Sequence, residues 1–171
     1  YNIAYKYLGV AMMVYSIILS PLWPAFTDAY TKKDFAWMRN IYKKMTYVFF
    51  VSVICVIVMV LISPFVYKIW IGEKAVIPYI MTLAVALYMI IHSWDSLQVQ
   101  LINGIGAIKL QTYVTIIGLV VHVPLSLLLG KYVGAVGVVC SMIVINIIYV
   151  SFFTTQIRKI LSQRGKGIWV K

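Results

Sequence analysis

The residues with the most chemical promise form one polar run: His92, Ser93, Trp94, Asp95, Ser96, Gln98, Gln100 and Asn103. At about 100° per helical residue, His92, Asp95, Ser96, Gln100 and Asn103 fall within an arc roughly 140° wide, with Trp94, Leu97 and Leu101 outside it. A polar face on an otherwise apolar helix has to point into a bundle or a wet cavity, because lipid cannot solvate it. His92 and Asp95, three positions apart, would be suited to proton coupling. Two positions satisfy the pattern. A helix entering the membrane at residue 75 brings Asp95 about 30 Å across, to the far interface. Alternatively, Asp95 faces an aqueous path.

Little else offers reactive chemistry. The acidic residues are Asp28, Asp34, Glu73 and Asp95, too few and too scattered for a converging carboxylate site. Gly104-Ile-Gly106 starts like a dinucleotide fingerprint, but Lys109 stands where the third glycine belongs and no strand precedes it. There is no phosphate-loop lysine motif, no metal-binding histidine pair and no serine elbow. Cys55 and Cys140 sit inside apolar runs and read as small apolar side chains. No catalytic, cofactor-binding or metal-ligating residue is expected, and no cofactor. His122, Pro124 and Asn146 are isolated, and a lone histidine in a membrane helix usually bonds to a neighbouring helix.

The elements that must position the polar run follow from composition. Of 171 residues, 63% are hydrophobic and 11% charged, and the mean hydropathy is +0.96. A water-facing domain carries roughly 25% charged residues. The expected fold is all-α: a polytopic membrane protein of five transmembrane helices, at 7–27, 45–67, 75–94, 110–130 and 132–157, with a basic tail at 158–171. Each stretch lacks Asp, Glu, Lys and Arg and is long enough to span the bilayer core. Alternation typical of barrel strands is absent.

Charge sets the orientation. Eleven of the fifteen basic residues lie between the first two spans, at Lys109, or in the tail, and the other four are Lys6, Lys68, Lys74 and Lys131. The richer side is expected to be cytoplasmic, placing the C-terminus inside. A net charge of +11 distributed in this way marks a membrane protein and not a nucleic-acid partner. Trp23, Trp37, Tyr67, Trp70, Tyr79 and Trp94 cluster near span ends, where amphipathic rings are favoured. Between 31 and 44, apolar residues recur every three or four positions, and Thr31 and Asp34 have capping-box spacing. Either a separate surface helix or an extension of the second span fits. Pro21, Pro24, Pro64, Pro78 and Pro124 all fall in or beside spans, where they bend helices. Gly130, Gly134 and Gly137 permit close helix approach at the start of the fifth span. Since Tyr1 stands first, the chain is expected to be part of a longer protein.

The stretch Pro21-Leu-Trp-Pro-Ala-Phe-Thr-Asp-Ala-Tyr30, followed by Asp34 and Trp37, resembles a loop in the second half of bacterial O-antigen-type polysaccharide flippases. Trp70 to Pro78, Asn103 to Leu110, and Gly167 to Lys171 are similar to further stretches of those proteins. The resemblance implies a MATE-like transporter of the bacterial inner membrane, with this chain forming most of its second bundle. It implies a non-enzymatic activity: moving a lipid-linked oligosaccharide across the membrane by alternating access, with a first bundle as partner. Substrate lies between bundles in such carriers. No cation sits mid-helix to meet a lipid diphosphate, so no substrate-binding residue carries over. The alternatives are a drug or metabolite exporter on the same fold, an enzyme of lipid-sugar metabolism using Asp28, Asp34 and Asp95, and a membrane anchor with a polybasic tail.

Overall fold

The computed structural model describes residues 1–72 and 77–170. Glu73, Lys74, Lys171, the opening of the third expected span and the middle of the Trp70–Pro78 stretch lie outside those residues. The described residues are helical without strands, and five segments are long and apolar enough to cross a membrane. The chain is a multi-pass membrane protein.

The first span is two helices, α1 (Asn2–Leu19) and α2 (Leu22–Thr31). Pro21 has no N–H to continue the ladder, so the helix breaks at Ser20–Pro21. Pro24 falls in the first turn of α2, where a missing donor costs nothing. The restarted helix crosses the third spanning segment at Gly104. A Cβ on Gly104 would stand 2.7 Å from the Trp23 carbonyl oxygen and 2.9 Å from the Phe26 Cβ. Thr27 Oγ1 donates to the Gly104 carbonyl at 2.7 Å, fixing the crossing.

α3 runs without a break from Phe35 to Ile71. Its 37 residues span about 55 Å, well beyond a bilayer core. The 31–44 segment is therefore the extension of the second span and not a separate surface helix. Asp34 alone is the N-cap, its side chain accepting from the Trp37 amide at 3.0 Å, while Thr31 ends α2. Continuity follows from packing, because Met38 is fully buried and Ile41, Tyr42 and Met45 lie against the same core. Once nucleated, such a helix propagates at little cost.

α4 (Tyr79–Ile105) extends eleven residues past the expected end at 94 and has the largest buried share of the spans. It stops at Gly106, whose φ of 79° lets its amide and that of Ala107 turn back to the Ile102 carbonyl. α5 (Ile108–Val133) and α6 (Ala135–Leu161) form a hairpin around Gly134, whose φ is 64°. Gly137 packs on the Leu129 carbonyl so closely that a side chain there would collide, and Gly130 meets Val138. The expected close approach is present at Gly130 and Gly137, while Gly134 has open space and makes the turn.

The chain then folds back. Trp169, in a 3-10 turn (Gly167–Trp169), lies under the Lys159 ammonium, 3.4 Å from the ring centroid. Arg39 of α3 donates to the Leu161 carbonyl at 3.0 Å, satisfying an orphan acceptor at the end of α6. The helix ends bearing Arg39, Lys109 and Arg158 thereby share one end of the bundle. One buried core fills that end around Phe26, Met38, Leu97 and Phe153, and a second lies at the opposite end around Leu8, Val85 and Met89. α3 and α5 turn large apolar side chains outward, among them Leu61, Phe65, Ile117 and Leu127, as helices facing lipid must.

Candidate functional site

α5 leans on α6 along its length and scarcely touches α4, although the two are joined by only two residues. α6 packs on both. The gap between α4 and α5 is therefore a cleft, backed by α6 and walled on its far side by α1 and α2. Its volume is about 420 Å³, within the usual range for ligand-binding sites. Tyr149 of α6 holds the hairpin's spacing: its ring occupies the room left by Gly118, and its hydroxyl donates to the Thr115 carbonyl at 3.3 Å.

All five residues of the polar arc, His92, Asp95, Ser96, Gln100 and Asn103, line this cleft. The residues outside the arc serve other surfaces. Leu97 and Leu101 are fully buried in the core, and Trp94 packs on Phe49 and donates to Thr154 Oγ1 at 3.0 Å. Asp95 lies about 24 Å along α4 from Tyr79, with roughly 15 Å of helix beyond it. α4 thus continues past Asp95 and past the expected span end at 94. Asp95 is 6% exposed, and its Oδ1 has no hydrogen-bond partner.

The structure does not join His92 to Asp95. His92 Nδ1 instead lies 3.3 Å from Asn146 Oδ1 on α6, and its ring stacks on Tyr88. Asn146 Nδ2 donates to the Met142 carbonyl at 2.9 Å, which turns the amide oxygen toward the imidazole. Asn146, seemingly isolated in the sequence, thus orients one residue of the arc. His122 and Asn146 both line a smaller hollow of about 250 Å³ that shares Thr115 and Tyr149 with the cleft. A further hollow at Ile108 and Thr112 shares Asn103, Gln111 and Thr115. Together the three make a groove whose polar residues come mainly from α4, α5 and α6, with Ser16 from α1.

Several members of this groove went unseen in the sequence. Gln111, Thr115 and His122 lie at i, i+4 and i+11 on α5, a spacing that marks a shared face. Ser16 and Trp23 join from α1 and α2, on either side of Pro21. The three described carboxylates do not converge. Asp28 pairs with Lys32 at 2.7 Å on the surface, Asp34 caps α3, and Asp95 lies in the cleft. Among the described residues no His, Cys, Asp or Glu group has metal-binding geometry.

Comparison with known proteins adds one relative. No protein-family model matches the chain, and no solved structure matches it. The chain is similar to a protein of Yersinia pseudotuberculosis named "Putative O-antigen export protein", with 26% identity over 163 residues. That alignment takes in 90% of this chain and 36% of the relative, so the chain spans about a third of its relative's length.

Proposed function

We propose that this chain is part of a polysaccharide-export carrier that moves a lipid-linked oligosaccharide across the bacterial inner membrane. The observation that carries the reading is the similarity to the Yersinia protein along 90% of the chain. The geometry is compatible with it, since a transporter needs polar surface inside a lipid-facing bundle. Here α4, α5 and α6 enclose that surface while α3 and α5 face outward with apolar side chains.

In this reading the helices form most of the second bundle of a MATE-like carrier, and the groove opens toward a first bundle contributed by the rest of the protein. Alternating access then exposes the groove to one leaflet at a time. The end bearing Arg39, Lys109 and Arg158 is cytoplasmic, in keeping with the bias of eleven basic residues in fifteen. The polar cleft binds and passes substrate without chemical change.

Deleting the gene that encodes this chain should remove surface polysaccharide, read as a ladder on a gel, and restoring it should return the ladder. A ladder unchanged by deletion would reject the reading. Loss of drug resistance with an intact ladder would replace it with the exporter alternative. A reporter fused at the C-terminus should be active only in the cytosol, and periplasmic activity would overturn the orientation.

A further inference from the structure

We propose that the cleft takes the uncharged, hydroxyl-rich part of its ligand, the sugar residues, and that any diphosphate is held elsewhere. The inference deepens the export reading, on which the choice of sugar among hydroxyl-rich molecules rests.

The argument is one of donors and acceptors. A side-chain hydroxyl has a single proton. Ser16 Oγ spends it on the Met13 carbonyl at 2.8 Å, Ser96 Oγ on the His92 carbonyl at 2.8 Å, and Tyr149 on the Thr115 carbonyl. All three oxygens therefore present only lone pairs to the cleft. His92 is fixed in the same sense. With Asn146 Nδ2 committed to Met142, the amide oxygen is what faces the ring, so Nδ1 carries the hydrogen. On a neutral imidazole that leaves Nε2 as an acceptor. Asp95 Oδ1 is buried and has no hydrogen-bond partner, so it adds nothing to the accessible acceptors.

Beside these acceptors stand the terminal amides of Gln100, Asn103 and Gln111, and since Oε1 of Gln100 and of Gln111 is buried, their NH2 groups are the donors left to the cleft. No Lys or Arg is found among the described residues of the cleft. A diphosphate brings acceptors and negative charge and no donors. Sites that hold it use Arg, Lys or a helix N-terminus. Placed here, its charge would meet no Lys or Arg among the described residues of the cleft, and the lone pairs of Ser16, Ser96 and Tyr149 would find no donor on it. A sugar brings hydroxyls that donate to Ser96 and His92 and accept from the amides. Trp23, exposed beside the cleft, offers apolar surface to its C–H faces.

The test uses the full chain in lipid nanodiscs with free rhamnose, galactose and N-acetylglucosamine, read by saturation-transfer NMR, and inorganic pyrophosphate, read by phosphorus line width. At least one sugar should receive saturation, and pyrophosphate should stay sharp. Ser96→Ala and His92→Phe should each weaken the sugar signal by about fivefold with helical circular dichroism unchanged. Ser96→Ala removes one oxygen only, so it decides the matter if His92→Phe does not fold. Pyrophosphate binding without sugar binding, no sugar binding at all, or sugar signals that survive Ser96→Ala would overturn the inference. Sugar binding by a chain whose gene can be deleted without loss of surface polysaccharide would overturn the export reading alone. Loss of polysaccharide on deletion, with no sugar bound, would overturn this inference alone.

Discussion

Gln156 of α6 donates from Nε2 to the Ala107 carbonyl at 2.8 Å, and from the same nitrogen to the Trp169 carbonyl at 3.2 Å. One buried amide thus ties the step between α4 and α5 to the returning C-terminal segment. Gln156→Leu keeps the volume and removes the donor, leaving two carbonyls without that partner. An unpaired buried acceptor costs about 1–3 kcal/mol. Thermal unfolding in detergent should shift down accordingly, and limited proteolysis should cut first near Trp169. An unchanged protease pattern would show that the segment is held by other contacts.

The two crossings made by glycine should respond differently to a methyl group. At Gly104 the obstacle is backbone, the Trp23 carbonyl, together with the Phe26 Cβ. Neither can turn aside, so Gly104→Ala should force α2 away from α4 and destabilise by about 1–3 kcal/mol. At Gly118 the obstacle is the outer part of the Tyr149 ring, which can swing. Gly118→Ala should cost less and should release the Tyr149 hydroxyl from Thr115. Paired melting curves check the order, and equal losses would contradict the crossing geometry.

Asp34 should matter as a cap and not as a chemical group. Asp34→Ala removes the acceptor of the Trp37 amide, at a cost of about 1 kcal/mol, while Asp34→Asn should retain most of it. Hydrogen exchange at Trp37 reports the change directly. Rapid exchange in both variants would mean that charge, and not the cap bond, holds the turn.

The spans were legible because lipid forbids charge over bilayer length, and charge-free runs mark them well. The same ruler does not give where a helix ends. α4 continues past a single carboxyl group that the bundle shelters, and it ends where Gly106 takes a positive φ. The ruler also could not find the break at Pro21, since proline carries no charge. The polar arc was readable from helical period alone, as it concerns one helix. Its setting was not. That Asn146 meets His92, or that α5 stands off from α4, depends on how α6 packs between them, and apolar helices leave no periodic trace of their partners.

Accessibility along α4 gives the most direct check of the cleft. In a chain with Cys55 and Cys140 changed to Ala, single cysteines at half-buried Ser96 and Gln100 should react with a membrane-impermeant thiol reagent in nanodiscs. Cysteines at Ser93, which is 3% exposed, and at fully buried Leu97 should resist it. The contrast follows from the helix, because adjacent positions differ by about 100° in direction although their depth differs by only about 1.5 Å. A gradient that followed depth alone would indicate an interfacial segment with no cleft. Reaction alternating with the arc requires water between α4 and α5. Adding Asn146→Leu should then leave labelling at Ser96 intact while freeing His92 from its partner, which nitrogen NMR of the imidazole would register as a change in tautomer balance.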